Sequence, residues 1–187
     1  MKGREDMIFF AAIIVVAGIY TTMSYNGFVQ LQNIVEEAFS TMDVYLKKRY
    51  DLIPNLVETV KGYANHESKT LENVIEKRNM AMNAGNLKER QKMEGELTGA
   101  LKTIFALSES YPDLKANGNF MKLQGQLETI EGDILQSRKY YNGVVRSFNT
   151  KCETFPSLII AKMFSFTQKE YFEITEEKER SNVQVKF

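Results

Sequence analysis

The sequence predicts an all-α protein, with an N-terminal transmembrane helix followed by an antiparallel four-helix bundle. Three observations carry that prediction. Residues Met7 to Met23 (MIFFAAIIVVAGIYTTM) are uncharged and mostly apolar, and the next charge after Asp6 is Glu36. Downstream, apolar residues recur at alternating steps of three and four, the spacing that keeps one stripe of a helix apolar. Turn residues break that pattern only at a few places, and 187 residues is one domain's worth of chain.

The span comes first. Met7, Ile8, Phe9, Phe10, Ile13, Ile14, Val15, Val16, Ile19, Tyr20 and Met23 supply its apolar surface. Met7 to Met23 as a helix covers about 25 Å of a hydrocarbon core about 30 Å thick. Ser24 to Phe28 extends it, with Tyr25 and Phe28 as interfacial anchors, so residues 1–25 read as a membrane anchor. A cleaved signal peptide is the competing reading, since Lys2 and Arg4 precede the run and Ala17-Gly18 offers small residues. Against it, the run continues past them without a polar cleavage region. Lys2 and Arg4 lie on one side and no Lys or Arg follows until Lys47. The positive-inside rule then places the N-terminus in the cytoplasm and the body of the chain outside it.

Residues 26–156 read as the bundle. Leu31, Val35, Ala38, Met42 and Tyr45 continue the first helix, and Leu46, Ile53, Leu56, Val57, Val60 and Tyr63 carry an amphipathic stripe through Tyr45 to Glu67. Pro54 interrupts it, because a proline inside a helix removes one backbone bond and crowds the carbonyl four residues back, that of Tyr50. Two solutions exist. Either the helix runs on through Pro54 and turns near Asn65 to Ser68, or it ends near Tyr50 and Asp51 caps a new helix with Pro54 in its first turn. Apolar Leu52 and Ile53 suit the first; matched helix lengths, about Asn26 to Tyr50, Leu52 to Asn83, Leu87 to Tyr111 and Asn119 to Phe155, favour the second.

Later punctuation is plainer. Ala84-Gly85-Asn86 stops one helix and starts another, with Gly85 as C-terminal cap, Asn86 as N-cap and Glu89 completing a capping box. The next seam is Met93, Leu97, Ala100, Ile104, Leu107 and Tyr111, and Pro112 ends it. Asn117 or Asn119 caps the last and longest helix, whose seam is Phe120, Leu123, Leu127, Ile130, Ile134, Ser137, Tyr141, Val144 and Phe148. Residues 157–187 form an interfacial segment and tail. Leu158, Ile159, Ile160, Phe164 and Phe166 with Lys162 suit a membrane surface, or a hydrophobic plug on the end of the bundle, and are too few to span. Glu173 to Arg180 is charged with both signs, and Val183 to Phe187 alternates like a short strand.

The stretch RYDLIPNLVETVKGYANHE from Arg49, with YPDLKANGNF from Tyr111, SRKYYN from Ser137, FP at Phe155 and EYF at Glu170, resembles the LemA family of bacterial membrane-anchored helical proteins. The similarity runs from about Gln32 to the C-terminus. Residues matching its motifs include Arg49, Asp51, Pro54, Asn55, Glu58, Tyr63, His66, Tyr111, Pro112, Asn117, Arg138, Tyr141 and Asn142. The resemblance implies an all-helical fold in a bacterial cell membrane, and little chemistry.

Function classes narrow by what is missing from the sequence. Lys plus Arg equals Asp plus Glu at 24 each, so no global field draws the chain to nucleic acid. Di-iron bundles need inward carboxylates with Glu-x-x-His pairs, and the single histidine, His66, has no glutamate three residues before it, so no metal or cofactor is expected. Phosphate loops, nucleophile elbows and hydrolytic triads cannot be argued from any spacing, and the chain is not expected to be an enzyme. Cys152 sits between Phe148 and Phe155 at helical spacing and reads as a buried thiol. Lys47-Lys48-Arg49 reads as a solvated basic face, and Tyr140-Tyr141 as a packing seam with a bonded hydroxyl. Gly118, Gly125 and Gly132, seven apart, read either as exposed drift or as a face for close approach by another copy. The expected partners are thus the membrane, an unidentified membrane or envelope protein, and possible copies of itself. The expected role is a non-enzymatic scaffold or adaptor, or else an accessory subunit that senses a small molecule or peptide held between helices.

Overall fold

The computed structural model describes residues 2–173, and these are helical throughout apart from turns and one extended segment near the C-terminus. Helix α1 is Lys2–Lys61, α2 Ser68–Met82, α3 Leu87–Ser108, α4 Pro112–Lys115, α5 Gly118–Glu153 and α6 Ser157–Met163. Most of the charged tail and the strand expected over Val183 to Phe187 lie outside the described residues.

Helix α1 is 60 residues long and passes unbroken through Pro54. The turn at Asp51 to Pro54, favoured by matching helix lengths, is therefore absent. The chain turns later, where the amides of Tyr63 and Ala64 donate to the carbonyl of Val60 and that of Glu67 to Ala64. The reason is visible around Tyr50. Pro54 cannot donate to the Tyr50 carbonyl, and Nε of Arg78 on α2 donates to it instead at 2.7 Å. Ile53, Leu56, Val57 and Val60 are all buried, so a break at Pro54 would also have split one continuous apolar stripe. The four long helices consequently differ greatly in length, with 60, 15, 22 and 36 residues.

In the first part of α1 the large apolar residues from Met7 to Met23 are exposed, Tyr20 least so. Two threonines there bond within the helix, Thr21 Oγ1 to the Ala17 carbonyl at 2.8 Å and Thr22 Oγ1 to the Gly18 carbonyl at 3.0 Å. Both threonine hydroxyls are thus satisfied by the helix itself. One helix is thus long and apolar enough to cross a membrane.

The described residues divide into two compact units. One comprises residues 2–40 and 139–171, that is, the first two thirds of α1, the end of α5, α6 and the extended segment after it. Its core is aromatic. Phe28 is fully buried, stacked on Phe166 at 4.7 Å between ring centroids and edge-on to Phe148 at 5.9 Å. The extended segment is tied to α5 by Asn149, which accepts from the Lys169 amide at 2.8 Å and donates to its carbonyl at 2.9 Å. The Tyr141 hydroxyl adds a bond to the Glu170 carbonyl at 2.9 Å. Cys152 is buried as expected, and burial pushes its thiol above the ordinary range. Gly27 lies so close to the Lys151 ammonium that any larger residue there must turn that lysine aside.

The other unit comprises residues 41–138 and 172–173. It joins α1 from Thr41 onward, α2, α3, α4 and the first part of α5 around Met42, Leu46, Ile53, Leu56, Leu97, Ile104, Leu114 and Leu127. Asn86 caps α3 by accepting from the Glu89 amide at 2.8 Å, and Glu89 returns a bond to the amide of Gly85 rather than to that of Asn86. Asn83, not Gly85, ends α2, and no glycine among the described residues has a positive φ. Asn117, rather than Asn119, caps α5, its Oδ1 accepting from the Phe120 amide at 3.0 Å.

On α5 the predicted seam is buried at Phe120, Leu127, Ile134, Ser137, Tyr141 and Phe148, whereas Leu123, Ile130 and Val144 are half-exposed and Val145 is buried in place of Val144. Phe120, Leu127, Ile134, Tyr141 and Phe148, each seven residues after the last, stay buried along α5, and only positions between them depart from the pattern.

These contacts set the stability changes expected on substitution, read by denaturant titration of the detergent-solubilised chain. Leu127→Ala and Ile104→Ala should each cost about 2–5 kcal/mol, whereas Val144→Ala should cost clearly less than Val145→Ala. Arg78→Ala should cost about 1–3 kcal/mol by orphaning the Tyr50 carbonyl. Introduced into Pro54→Ala, whose restored amide can serve that carbonyl, the same change should cost less.

Candidate functional site

The polar centre of the molecule is built on Arg49, a position that reads from the sequence as part of a solvated cluster. Lys47 and Lys48 are indeed exposed, and Lys47 pairs with Asp51 at 2.9 Å. Arg49 is 0 % exposed. It stands on the buried stripe of α1, seven residues from both Met42 and Leu56, so the helix must carry it inward.

Its guanidinium joins three helices. Nη2 pairs with Glu94 of α3, itself 1 % exposed, and Nη1 reaches Glu131 of α5 at 2.5 Å and Thr98 Oγ1 at 3.2 Å. The Tyr50 hydroxyl donates to the second oxygen of Glu94. A buried charge without a partner costs several kcal/mol, and here each charge has one. Glu131 is 37 % exposed and brings the cluster to the surface. Nearby, Arg90 pairs with Asp43 at 2.5 Å and Lys77 with Glu96 at 2.7 Å, tying α3 to α1 and α2. Burial raises the Tyr50 phenol above its ordinary 10.0, with Arg49 and Arg90 opposing the shift.

A cleft of about 420 Å³ opens over this cluster between α3 and α5. Thr98 and Glu131, both held by Arg49, form part of its wall, with Gln91, Lys102, Leu135 and Arg138. Gly95 and Gly132 face it from the two helices, and a Cβ on either would meet nothing within 4 Å. The Arg138 guanidinium lies over the ring of buried Phe172, 4.7 Å from its centroid. A second groove, about 610 Å³, runs between α1 and α2 and is lined by Val57, Glu58, Lys61, Asn65 and Leu71 among others.

The remaining motif residues gather at defined places. Tyr63 accepts from Asn117 Nδ2 at 2.8 Å, and the Tyr111 hydroxyl reaches Glu67 at 3.4 Å, so the turn after α1 is laced to the turn around α4. Pro112 opens α4, where no donor is needed. Asp51, Asn55, Glu58 and His66 are exposed, Pro54 and Asn142 half-buried. Gly118, Gly125 and Gly132 all face open space. Among the described residues no group of three or more His, Cys, Asp or Glu is placed to hold a metal ion. Glu94 escaped the sequence reading, although its spacing to Leu97, Leu101 and Ile104, three, four and three, marks it as a buried position.

Removing one partner of the central pair should be far worse than removing the charges together. Arg49→Met should destabilise the chain by about 3–5 kcal/mol, and adding Glu94→Gln, which still accepts from Tyr50, should recover more than half of the loss. A raised phenol stabilises the fold below pH 10.0, and that contribution is lost as pH rises through the folded value. Alkaline unfolding followed by circular dichroism should therefore be less steep in Tyr50→Phe than in the parent chain.

The sequence profile of the LemA family matches residues 38–187. Protein LemA of Metamycoplasma hominis is 26 % identical over 181 residues, covering 93 % of this chain and 81 % of that protein. Magnetosome protein MamQ of Magnetospirillum gryphiswaldense is 22 % identical over 199 residues, covering 91 % and 73 %. Magnetosome protein MamQ 2 of Paramagnetospirillum magneticum is 23 % identical over 177 residues, covering 81 % and 65 %. The profile match takes in the buried Arg49, both of its acidic partners and every motif from Pro54 to Phe172, and the chain belongs to the LemA family.

Proposed function

We propose that this chain is a single-pass, non-enzymatic scaffold or adaptor of the bacterial membrane, acting through protein contacts. In this reading residues 1–25 form the anchor, 26–156 an antiparallel four-helix bundle on the non-cytoplasmic side and 157–187 the interfacial segment and tail. The observation that carries it is the change of character along α1. Its large apolar residues are exposed as far as Met23, and the same helix supplies the core from Phe28 to Val60. An exposed apolar run of that length is stable in lipid and not in water. The non-enzymatic part rests on what the interior polar groups do. Arg49, Glu94, Glu131 and Tyr50 are engaged with one another and hold α1, α3 and α5 together, which supports a packing role for them.

A second reading, an accessory subunit sensing a small molecule or peptide, is favoured by the glycine-lined cleft. Its 420 Å³ falls within the usual range of ligand pockets, and its wall shares two groups with the Arg49 cluster. Filling it could be felt by the cluster that joins three helices.

The anchor should resist high salt and alkaline extraction and yield to detergent, because apolar burial rather than charge would hold it. Release by alkali alone would overturn that part. For the scaffold, crosslinking in intact cells should give discrete adducts with another protein or with a second copy. Gly125→Ala, which has room for its methyl, should reduce sedimentation-measured self-association if that glycine face is used, and otherwise only stabilise the helix by about 1 kcal/mol. A chain without adducts whose melting temperature rises with a small molecule would replace the scaffold by the sensing subunit.

A further inference from the structure

Helix α6 has two apolar faces and only one of them is covered. Ser157, Ile160 and Ala161 are buried. On the opposite side Ile159 is 55 % and Met163 58 % exposed, and Phe155 just before the helix is 80 % exposed. A helix with apolar residues on two sides suits a place between two apolar media. The protein supplies one.

What covers the other face follows from where α6 sits within its compact unit. The ring of Phe164, which ends α6, lies 4.8 Å from that of Tyr25, and Tyr25 comes two residues after the last apolar residue of the run Met7 to Met23. At 1.5 Å per residue, Tyr25 is about 3 Å along the axis from Met23. Any membrane that takes up the run therefore has its surface at the level of α6. Phe166 lies 5.7 Å from the same tyrosine ring and stacks on Phe28, closing the core. Lys162 is exposed beside the apolar stripe, where a lysine stem can lie along lipid and its ammonium reach headgroup phosphates.

We propose that α6 is an interfacial helix, its Phe155–Ile159–Met163 face and Phe164 set into the headgroup–acyl boundary of the bilayer beside the emerging span. This rests on the anchor reading above and adds a second, sideways attachment to it. The occupant is lipid because the exposed stripe is continuous, through Phe164 and Tyr25, with the apolar surface of the span itself. A single helix leaves its attached body free to tilt; a second contact off its axis restricts that tilt.

The chain contains no tryptophan, which makes the test direct. Ile159→Trp and Met163→Trp each place one reporter on an exposed position, so either suffices if the other is poorly made. The full chain would be reconstituted in vesicles of phosphatidylcholine and phosphatidylglycerol with bromine on shallow or on deep acyl carbons. Ile14→Trp reports the span, and Glu37→Trp an exposed position well beyond it. The expected result is that Ile159→Trp and Met163→Trp lose most of their emission to shallow bromines and much less to deep ones, with Glu37→Trp unquenched. Emission at the wavelength of water-exposed indole, indifferent to bromine, would overturn the proposal while quenched Ile14→Trp left the anchor standing. Unquenched but blue-shifted emission that depends on protein-to-lipid ratio would overturn it in favour of a second copy on this face. Failure of Ile14→Trp to be quenched by deep bromines would instead remove the anchor reading itself.

Discussion

The buried guanidinium of Arg49 is the constraint on which the packing of α1, α3 and α5 depends. A cation held away from water tolerates few arrangements, because its attraction to Glu94 and Glu131 must offset its desolvation and both carboxylates must arrive in register. Apolar seams alone tolerate sliding by a turn, since leucine replaces leucine. A slide of α3 along α1 would part Glu94 from both Arg49 and the Tyr50 hydroxyl, leaving Glu94 and Tyr50 unpaired and Arg49 with Glu131 alone. The cluster thus adds little net stability and much discrimination between registers, a role polar residues also play in helical seams elsewhere.

The same short stretch solves a second problem. Pro54 leaves the Tyr50 carbonyl without its helical donor, and Arg78 fills the vacancy from α2. One residue after Arg49 therefore anchors α2 through its carbonyl and α3 through its phenol. The proline is not a defect bridged at random. By opening one acceptor it gives α2 a directional bond to a specific turn of α1, where an uninterrupted helix would have offered only side chains. Within the stretch resembling the family signature, Arg49, Tyr50 and Pro54 are in this sense a packing device.

Much of this was legible in the sequence, and what was not has identifiable causes. The long apolar run, the all-helical class, the α2–α3 turn and a cap at Asn117 or Asn119 follow from charge-free length, periodicity and capping chemistry. The place of the first turn did not, because a proline's cost in a helix can be met by a donor distant in sequence, Arg78, which no local pattern reveals. Arg49 was set among solvated charges by its neighbours Lys47 and Lys48, although Met42, Leu46, Arg49, Ile53, Leu56 and Val60 keep steps of four and three throughout. There composition overruled spacing, and spacing was right. Glu94 carries the same lesson on α3. In the last helix the difference is smaller, Val145 for Val144: the row from Phe120 to Phe148, seven apart, is buried throughout, and the positions beside that row can fall on either flank of it.

Once the signature is seen as packing, the question of function moves to surfaces that packing does not require. A fold needs neither the open space around Gly95 and Gly132 nor an uncovered stripe on α6; alanine would serve a helix better at the first and a polar residue would serve water better at the second. The two features are of different kinds. The cleft carries polar groups on its wall and shares Thr98 and Glu131 with the Arg49 cluster, so an occupant would act on groups that join three helices. The α6 stripe is apolar and lies at the level where the first helix leaves its exposed run, so its chemistry suits a surface rather than a molecule. In the adaptor reading proposed above, the stripe would fix where the protein stands and the cleft would register what reaches it, and the two lie on separate compact units.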